Sequence, residues 1–216
     1  MNGKKRIVTI VLAIMVAVLA GTGYYYWYES AHYVSTEDAK VTGDLYRVGP
    51  QISGKLVEFR VAEGDQVVKG QILGRQELLN QPDSAIDMSV LRAPIDGVVI
   101  KKQANIGEIV SPGQTLAIVV NPKELYINAN IEETKLHRIQ LGQKVDVTID
   151  QFSDEAFIGQ VSTIGQAANS AFSLLPASTS GNFTKVIQKV PVKILLTDGE
   201  EKILPGTNAI VKIHVK

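Results

Sequence analysis

Residues 52–73, ISGKLVEFRVAEGDQVVKGQIL, recur 43 positions further along the chain as residues 95–116, IDGVVIKKQANIGEIVSPGQTL. Both the spacing and the identity of the key residues are kept, which favours duplication over a chance match. The two copies share Ile52/Ile95, Gly54/Gly97, Gly64/Gly107, Val67/Val110, Gly70/Gly113, Gln71/Gln114 and Leu73/Leu116.

Three glycines in each copy mark its predicted strand and turns. The first begins a short strand, the second lies in a turn, and the third lies in a tighter turn. Glycine suits turns because many of them need a positive φ angle, which a Cβ atom penalises. Two such half-units can pair as a small flattened β-sandwich, each covering the apolar face of the other. The expected structural glycines are Gly54, Gly64, Gly70, Gly97, Gly107 and Gly113.

The paired half-units resemble the biotinyl/lipoyl carrier fold. A carrier of that kind presents a modifiable lysine at the hairpin between its halves. No lysine occurs between Gly70 and Ala93, and residues 77–80, ELLN, stand about where the carrier motif would have one. The resemblance therefore implies the fold without its prosthetic group, and we expect no cofactor.

The N-terminal region predicts a membrane anchor. Residues 7–23, IVTIVLAIMVAVLAGTG, contain no ionisable side chain, and the aromatic run Tyr24–Trp27 extends them. A helix over residues 7–27 is roughly 31 Å long at about 1.5 Å per residue, which matches the ~30 Å hydrocarbon core. A cleaved signal peptide is the alternative, but the apolar run exceeds the usual length of about 7 to 15 residues, and bulky aromatics follow it.

The basic residues before the anchor predict its orientation. Lys4, Lys5 and Arg6 precede the apolar run, and the positive-inside tendency assigns them to the cytoplasm. We therefore expect a single-pass protein of the cell membrane, with residues 1–6 cytoplasmic and the bulk of the chain beyond Tyr28 extracytoplasmic.

The C-terminal part alternates apolar and polar residues with the period of half-buried strands. A short helix is predicted over residues 132–139, with acidic residues first, basic residues later and Gly142 just beyond. One short helix among strands favours a small β-barrel over an α/β sheet. The alternating segments are Leu125–Ile131, Val145–Asp150, Val190–Leu196 and Val211–Val215.

Residues 166–184, QAANSAFSLLPASTSGNFT, interrupt the strands with small polar residues around an apolar tip. One interpretation is a long hairpin loop without a binding role. The other is a partner-contact loop, because long loops in compact domains are often functional. The candidate contact residues are Phe172, Leu174, Leu175 and Pro176.

Composition excludes several kinds of chemistry. The 22 basic and 22 acidic residues leave a formal net charge of zero, so no global field attracts nucleic acid. The absence of cysteine excludes disulfides and thiolate sites. His32, His137 and His214 lie far apart in sequence and form no metal-ligand motif. No nucleophile-elbow serine, phosphate loop or dinucleotide fingerprint occurs, and we expect neither an enzyme nor a metal site.

Taken together, the order of anchor, split lipoyl-like unit and barrel resembles the membrane fusion proteins, or periplasmic adaptors, of the HlyD and EmrA type. The match covers nearly the whole chain beyond the anchor. The stretches that carry it are residues 36–41 (TEDAKV), 50–54 (PQISG), 67–73 (VVKGQIL), 91–99 (LRAPIDGVV), 129–136 (ANIEETKL), 172–176 (FSLLP) and 182–188 (NFTKVIQ).

This resemblance implies a non-catalytic accessory subunit of an export pump that works with an inner-membrane transporter. The EmrA-like features imply a multidrug exporter of the major-facilitator type, with an ABC transporter as the alternative, and the family implies self-association. An anchored envelope scaffold without a transport role and a carrier subunit are the remaining alternatives.

One departure from the family is large. Its members usually insert a long α-helical coiled-coil hairpin between the lipoyl halves, and this hairpin reaches the outer-membrane channel. Here residues 74–90, GRQELLNQPDSAIDMSV, are too short for two helices and contain Pro82.

The fold is therefore predicted to be mainly β, with one transmembrane helix and one short helix. The expected organisation is a cytoplasmic tail (1–6), a transmembrane helix (7–27), a linker with a barrel-associated strand (28–49), a lipoyl-like domain with a short connector (50–121) and a β-barrel domain (122–216).

Overall fold

The computed structural model describes residues 2–78, 87–152, 155–172, 187–197 and 203–215. The chain divides into two compact units. The first comprises Met1–Lys40, Ile127–Gly199 and Thr207–Lys216, and the second comprises Val41–Tyr126 and Glu200–Gly206.

A single long helix, α1 (Asn2–His32), opens the first unit. Its stretch Ile10–His32 is long and apolar enough to cross a membrane, and none of that window is buried against the protein. Side chains such as Ile14 and Leu19 are about 60% exposed, which suits a lipid environment. The first barrel strand begins at Tyr33, directly after the helix.

Six strands of the first unit form a closed barrel, with short helical segments between them. The barrel strands are β1 (Tyr33–Thr42), β10 (Tyr126–Glu132), β11 (Lys144–Ile149), β12 (Ala156–Ile164), β13 (Lys189–Leu196) and β14 (Asn208–His214), and the α-helical turn α2 covers Glu133–Leu136. The strand order around the barrel is β1-β10-β13-β12-β11-β14. Closure leaves no free edge for pairing with another chain.

The barrel core follows from the alternation in the sequence. Inward-facing residues on successive strands are buried and their neighbours face outward, as in Ile127 and Ala129 on β10 and Val145 and Val147 on β11. The other inward residues, each at most 1% exposed, are Val34, Ile131, Ile149, Val192, Ile194, Ala209, Val211 and Ile213.

The sequence pattern did not predict strand β12, because a glycine interrupts its alternation of apolar and polar residues. Its central inward position is Gly159, which removes one apolar residue from the alternating pattern. A Cβ at Gly159 would lie 2.8 Å from the Ile194 Cγ2 atom and 3.0 Å from the Leu195 carbonyl oxygen. Close packing against β13 therefore explains the glycine.

Eight short strands form the second unit. They are β2 (Leu45–Val48), β3 (Gly54–Phe59), β4 (Gln66–Val67), β5 (Ile72–Leu78), β6 (Val90–Arg92), β7 (Gly97–Lys102), β8 (Ile109–Val110) and β9 (Ala117–Val120). They form two four-stranded antiparallel sheets, ordered β2-β9-β7-β4 and β6-β5-β3-β8. The first repeat and the residues just after it supply β3, β4 and β5, and the second repeat and the residues just after it supply β7, β8 and β9.

Each repeat gives one short strand to the sheet of the other. Strand β4 pairs with β7, and β8 pairs with β3. The sandwich core is built from equivalent residues of both copies, such as Leu56 with Val99 and Leu73 with Leu116, all at most 1% exposed. Full burial of one such side chain stabilises the fold by roughly 1.5–3 kcal/mol.

The predicted fold class, mainly β with an N-terminal helix, a sandwich and a small barrel, is confirmed. The helix predicted over residues 132–139 is shorter, since only Glu133–Leu136 is α-helical. Residues 45–48, which the sequence suggested as part of the linker and barrel strand, form β2 and pair with β9 of the sandwich.

Candidate functional site

Four of the six predicted structural glycines have the left-handed backbone conformation. The φ angles are +93° at Gly64, +83° at Gly70, +98° at Gly107 and +90° at Gly113. Around each of them, space for a Cβ is open, so backbone conformation rather than packing demands glycine.

The remaining two glycines are required for a different reason. Gly54 and Gly97 begin β3 and β7 without a positive φ angle. A Cβ at Gly54 would lie 2.7 Å from the Glu77 carbonyl oxygen, and one at Gly97 would collide with the Val120 carbonyl oxygen. The positive-φ argument therefore does not extend to them, and close approach of the neighbouring strand accounts for both.

The connector between the repeats joins two strands that are direct neighbours. Strands β5 and β6 pair antiparallel, with Ile72 opposite Arg92 and Arg75 opposite Val90. Only residues 79–89 separate β5 from β6. A hairpin of two long helices has no room at this point.

A polar cluster on the barrel surface connects side chains of three strands with Asn169, near the start of the 166–184 loop. We call Asp38, Asn130, Asn169 and Lys189 the Asp38 cluster. The Lys189 Nζ donates to Asp38 Oδ2 at 2.6 Å, and the Asn130 Nδ2 donates to Asp38 Oδ1 at 3.1 Å. The Asn169 Nδ2 in turn donates to Asn130 Oδ1 at 2.8 Å.

Two of the stretches that carried the family resemblance thus meet in space. Asp38 lies in residues 36–41 and Asn130 in residues 129–136, and the Thr36 hydroxyl also donates to the Asn130 carbonyl oxygen at 3.1 Å. The hydrogen bond from Lys189, followed by that from Asn130, holds the pKa of Asp38 below its usual value of 3.8. Because both ion-pair partners are more than a third exposed, solvent screening limits the pair to at most about 1 kcal/mol.

The Asp38 cluster holds the chain on both sides of the apolar tip in residues 166–184, the predicted partner-contact loop. Asn169 precedes its apolar tip, and Lys189 follows it. Two backbone hydrogen bonds add to this, from Gly165 N to Pro191 O at 2.8 Å and from Glu133 N to Gln188 O at 2.9 Å. The backbone of Phe172 ends a short 3-10 helix, Asn169–Phe172. The other candidate contact residues, Leu174, Leu175 and Pro176, lie outside the described residues.

The junction between helix α1 and the barrel contains no flexible linker. The Arg138 guanidinium donates to the carbonyl oxygens of Ser30 at 2.9 Å and Ala31 at 2.6 Å, and the Val215 amide donates to that of His32 at 2.8 Å. The last carbonyls of a helix lack partners inside the helix. The barrel therefore caps the anchor. Lys212 also pairs with Glu29 at 2.9 Å.

All three histidines of the chain line one groove beside this junction. His214 contacts the Asp146 carboxylate at 2.6 Å, and the His32 Nδ1 lies 2.9 Å from the Tyr28 carbonyl oxygen. Sequence spacing gave no sign of this convergence, because the three residues belong to three different elements. Across the described ranges, no group of three or more His, Cys, Asp or Glu residues is placed to hold a metal ion.

Comparison with known proteins agrees with this architecture. Residues 45–122 match the family model of the barrel-sandwich hybrid domain of RND membrane fusion proteins, and residues 125–213 match that of the YknX-like β-barrel domain. YhbJ of Bacillus subtilis, described as a candidate efflux system component, is 39% identical over 213 residues, covering 98% of this chain and 93% of YhbJ.

Longer relatives match in part. The multidrug export protein EmrA of Haemophilus influenzae is 33% identical over 150 residues, which are 67% of this chain and 38% of EmrA. The structure of the membrane fusion protein Spr0693 from Streptococcus pneumoniae superposes with a TM-score of 0.63 at 16% identity, covering 85% of this chain and 99% of Spr0693. This structural similarity supports the fold assignment.

The chain belongs to the membrane fusion proteins of the HlyD and EmrA type. It is a short form, in which residues 79–89 replace the long coiled-coil hairpin.

Proposed function

We propose that this protein is the non-catalytic adaptor subunit of a small-molecule or multidrug efflux system, held beside an inner-membrane transporter by its own anchor. The observation that carries the proposal is the match to an efflux system component along 98% of the chain. The match includes the anchor, the sandwich and the barrel. The proposed function is therefore supported by the whole architecture and does not depend on one domain.

The transporter is proposed to be of the major-facilitator type. The supporting observation is the similarity to proteins named as multidrug export proteins of the EmrA type. An ABC transporter is the alternative partner, and self-association of the adaptor is part of the proposal.

The barrel is proposed to be the part that meets the transporter. Helix α1 passes into β1 without a linker, and Arg138 and Val215 cap its end. These bonds support a position of the barrel close to the membrane surface. The Asp38 cluster holds residues near both ends of the 166–184 loop against that same barrel. The apolar tip, residues 172–176, is the proposed contact with the transporter.

The short connector sets the reach of this adaptor. Residues 79–89, which join β5 to β6, are too few for a coiled coil of two helices that would reach a second membrane. We propose that the protein acts on the outward face of its transporter in the same membrane, in an envelope with one membrane or without help from an outer-membrane channel. Its N-terminus is proposed to be cytoplasmic.

Deletion of the gene tests this function. Cells without the adaptor, but with the neighbouring transporter intact, are expected to accumulate more of at least one toxic compound from a broad panel. Expression of the full chain from a plasmid should restore export. The matched control is the chain with Gly107→Val, which should fail to restore export because its sandwich is destabilised. Unchanged accumulation across the panel would contradict the proposal.

A further inference from the structure

The groove beside the helix–barrel junction has an unusual electrostatic composition. It has a volume of about 830 Å³, and its walls include His32, His137, Arg138, Lys144 and His214. The chain as a whole has no net charge, yet no carboxylate is among the residues that line this groove in the described part of the chain. We call these walls and their cavity the junction groove.

Nearby carboxylates neutralise only part of this positive charge. The Asp146 carboxylate contacts His214 at 2.6 Å and lies 3.9 Å from the Lys144 Nζ, so one carboxylate is shared between these two side chains. The Glu29 carboxylate is engaged by Lys212, and that of Glu132 by Lys135, each at 2.9 Å. The junction groove therefore keeps an excess of positive charge.

Arg138 retains hydrogen-bonding capacity for a ligand. Two of its N–H groups donate to Ser30 and Ala31, whereas a guanidinium carries five N–H donors. Its planar fork suits the oxygen atoms of a phosphate. Lys144, with a side chain 55% exposed, and exposed His137 complete a set of donors that solvent or a ligand can reach.

If residues 7–27 span the hydrocarbon core, the junction groove reaches the outer part of the lipid headgroup layer. His32 is five residues beyond Trp27, or roughly 8 Å further along the helix at about 1.5 Å per residue. The headgroup layer beyond the hydrocarbon core is roughly 5–8 Å thick on each side. The aromatic residues Tyr24–Trp27, each more than 60% exposed, fit the interface between these two layers.

An apolar side chain also lines the junction groove. Leu141 lines the junction groove and is 65% exposed. A leucine beside the cations Arg138 and Lys144 fits a ligand that carries both a phosphate and an acyl chain. A free phosphate offers nothing for Leu141 to contact.

We propose that the junction groove binds the phosphate of an anionic phospholipid from the leaflet on the barrel side. Arg138, Lys144 and the three histidines contact the headgroup, and Leu141 contacts the start of the acyl chain. The bound lipid adds to the protein bonds that hold the barrel to the anchor, and the lipid composition of the membrane then tunes how firmly the barrel is held.

Native mass spectrometry of the full chain tests this proposal. The protein is released from dodecyl maltoside micelles that contain equal amounts of dioleoyl phosphatidylglycerol and dioleoyl phosphatidylcholine. The wild type is expected to retain phosphatidylglycerol preferentially. The double variant H137Q/K144Q should lower this preference roughly fivefold or more, as expected for loss of a lysine close to the headgroups.

Two further variants keep the test interpretable. The control K101Q/K123Q removes two exposed lysines of the sandwich unit, and it should leave the preference unchanged. Lys144→Arg keeps the charge and should retain lipid even if the glutamine variant is less stable. Equal retention of both lipids by the wild type, or an unchanged preference in H137Q/K144Q, would overturn the proposal. Displacement of the lipid by an equal concentration of inorganic phosphate would overturn the assignment to a lipid.

Discussion

The backbone amide of Gly107 donates to the carbonyl oxygen of Leu56 at 2.7 Å. The bond equivalent by the 43-residue repeat, from Gly64 N to Val99 O, measures 2.8 Å. Each turn glycine thus ties its own repeat to the first strand of the other. Since the two repeats exchange strands in this way, neither can complete its sheet alone.

Valine at either of these turn glycines should destabilise the sandwich. Gly64 and Gly107 have φ angles of +93° and +98°, which a β-branched side chain adopts only at a cost of roughly 1–3 kcal/mol. Gly64→Val and Gly107→Val should each lower the free energy of unfolding of the full chain in detergent, measured by urea titration. Gly64→Asn is the control and should cost less, because asparagine tolerates positive φ angles better. Full tolerance of both valines would contradict the duplicated-turn account.

Alanine substitutions should separate the two structural reasons for glycine. Gly113→Ala meets open space and strains only the backbone at φ +90°, so it should cost about 1–2 kcal/mol. Gly97→Ala places its Cβ against the Val120 carbonyl oxygen and must push β9 away from β7. It should therefore cost more than Gly113→Ala in the same urea titration. The reverse order would refute the close-approach explanation for Gly97.

Acid should weaken the barrel partly through Asp38. Hydrogen bonds from Lys189 and Asn130 lower the pKa of this carboxyl in the folded state. A carboxyl of this kind stabilises the fold at pH values above its usual 3.8. That contribution disappears as the pH falls below this value through the lowered pKa.

Unfolding temperatures measured between pH about 5 and pH about 2 check this dependence. Asp38→Asn should flatten the acid-induced decrease relative to wild type. Glu37→Gln, which removes the exposed neighbouring carboxyl, serves as the control and should leave the decrease unchanged. A wild-type slope in Asp38→Asn would show that the Asp38 cluster contributes nothing to acid sensitivity.

Loss of the Arg138 cap should loosen the anchor from the barrel. Arg138→Gln removes two charge-assisted hydrogen bonds to helix carbonyls, and hydrogen bonds to charged groups contribute roughly 1.5–3 kcal/mol each. Limited proteolysis in detergent should then cleave faster between residues 28 and 33. Lys135→Gln breaks only a surface pair with Glu132 and should leave cleavage unchanged. Equal cleavage of both variants would argue against the cap.

Local patterns predicted most of the elements. The repeat located the sandwich turns because glycine at positive φ leaves a mark at fixed positions, and alternation located four barrel strands because one face of each is buried. The pattern failed at β12, where Gly159 occupies an inward position. It also overextended the helix that begins at Glu133. The backbone bonds after Leu136, from Arg138 N to Lys135 O and from Ile139 N to Leu136 O, span three residues as in a tight turn and do not continue the α-helix.

A single sequence did not allow contacts between residues that are far apart in the chain to be predicted. Asp38 meets Asn130 across 92 positions and Lys189 across 151. His32, His137 and His214 share the junction groove only because the helix end, the turn after α2 and β14 meet at one end of the barrel. No local spacing encodes such meetings, since barrel closure creates them.

The role as an adaptor is tested most directly by capture of the transporter. The tagged full chain is cross-linked in living cells, purified in detergent and analysed for bound proteins. A polytopic transporter should co-purify in a fixed ratio. Leu174→Asp combined with Leu175→Asp should reduce its recovery at least about tenfold, the effect of losing 1.4 kcal/mol of binding free energy. Ser178→Asp with Thr179→Asp, which adds the same charges in the same loop, should not. Absence of any polytopic transporter from the wild-type capture would contradict the account.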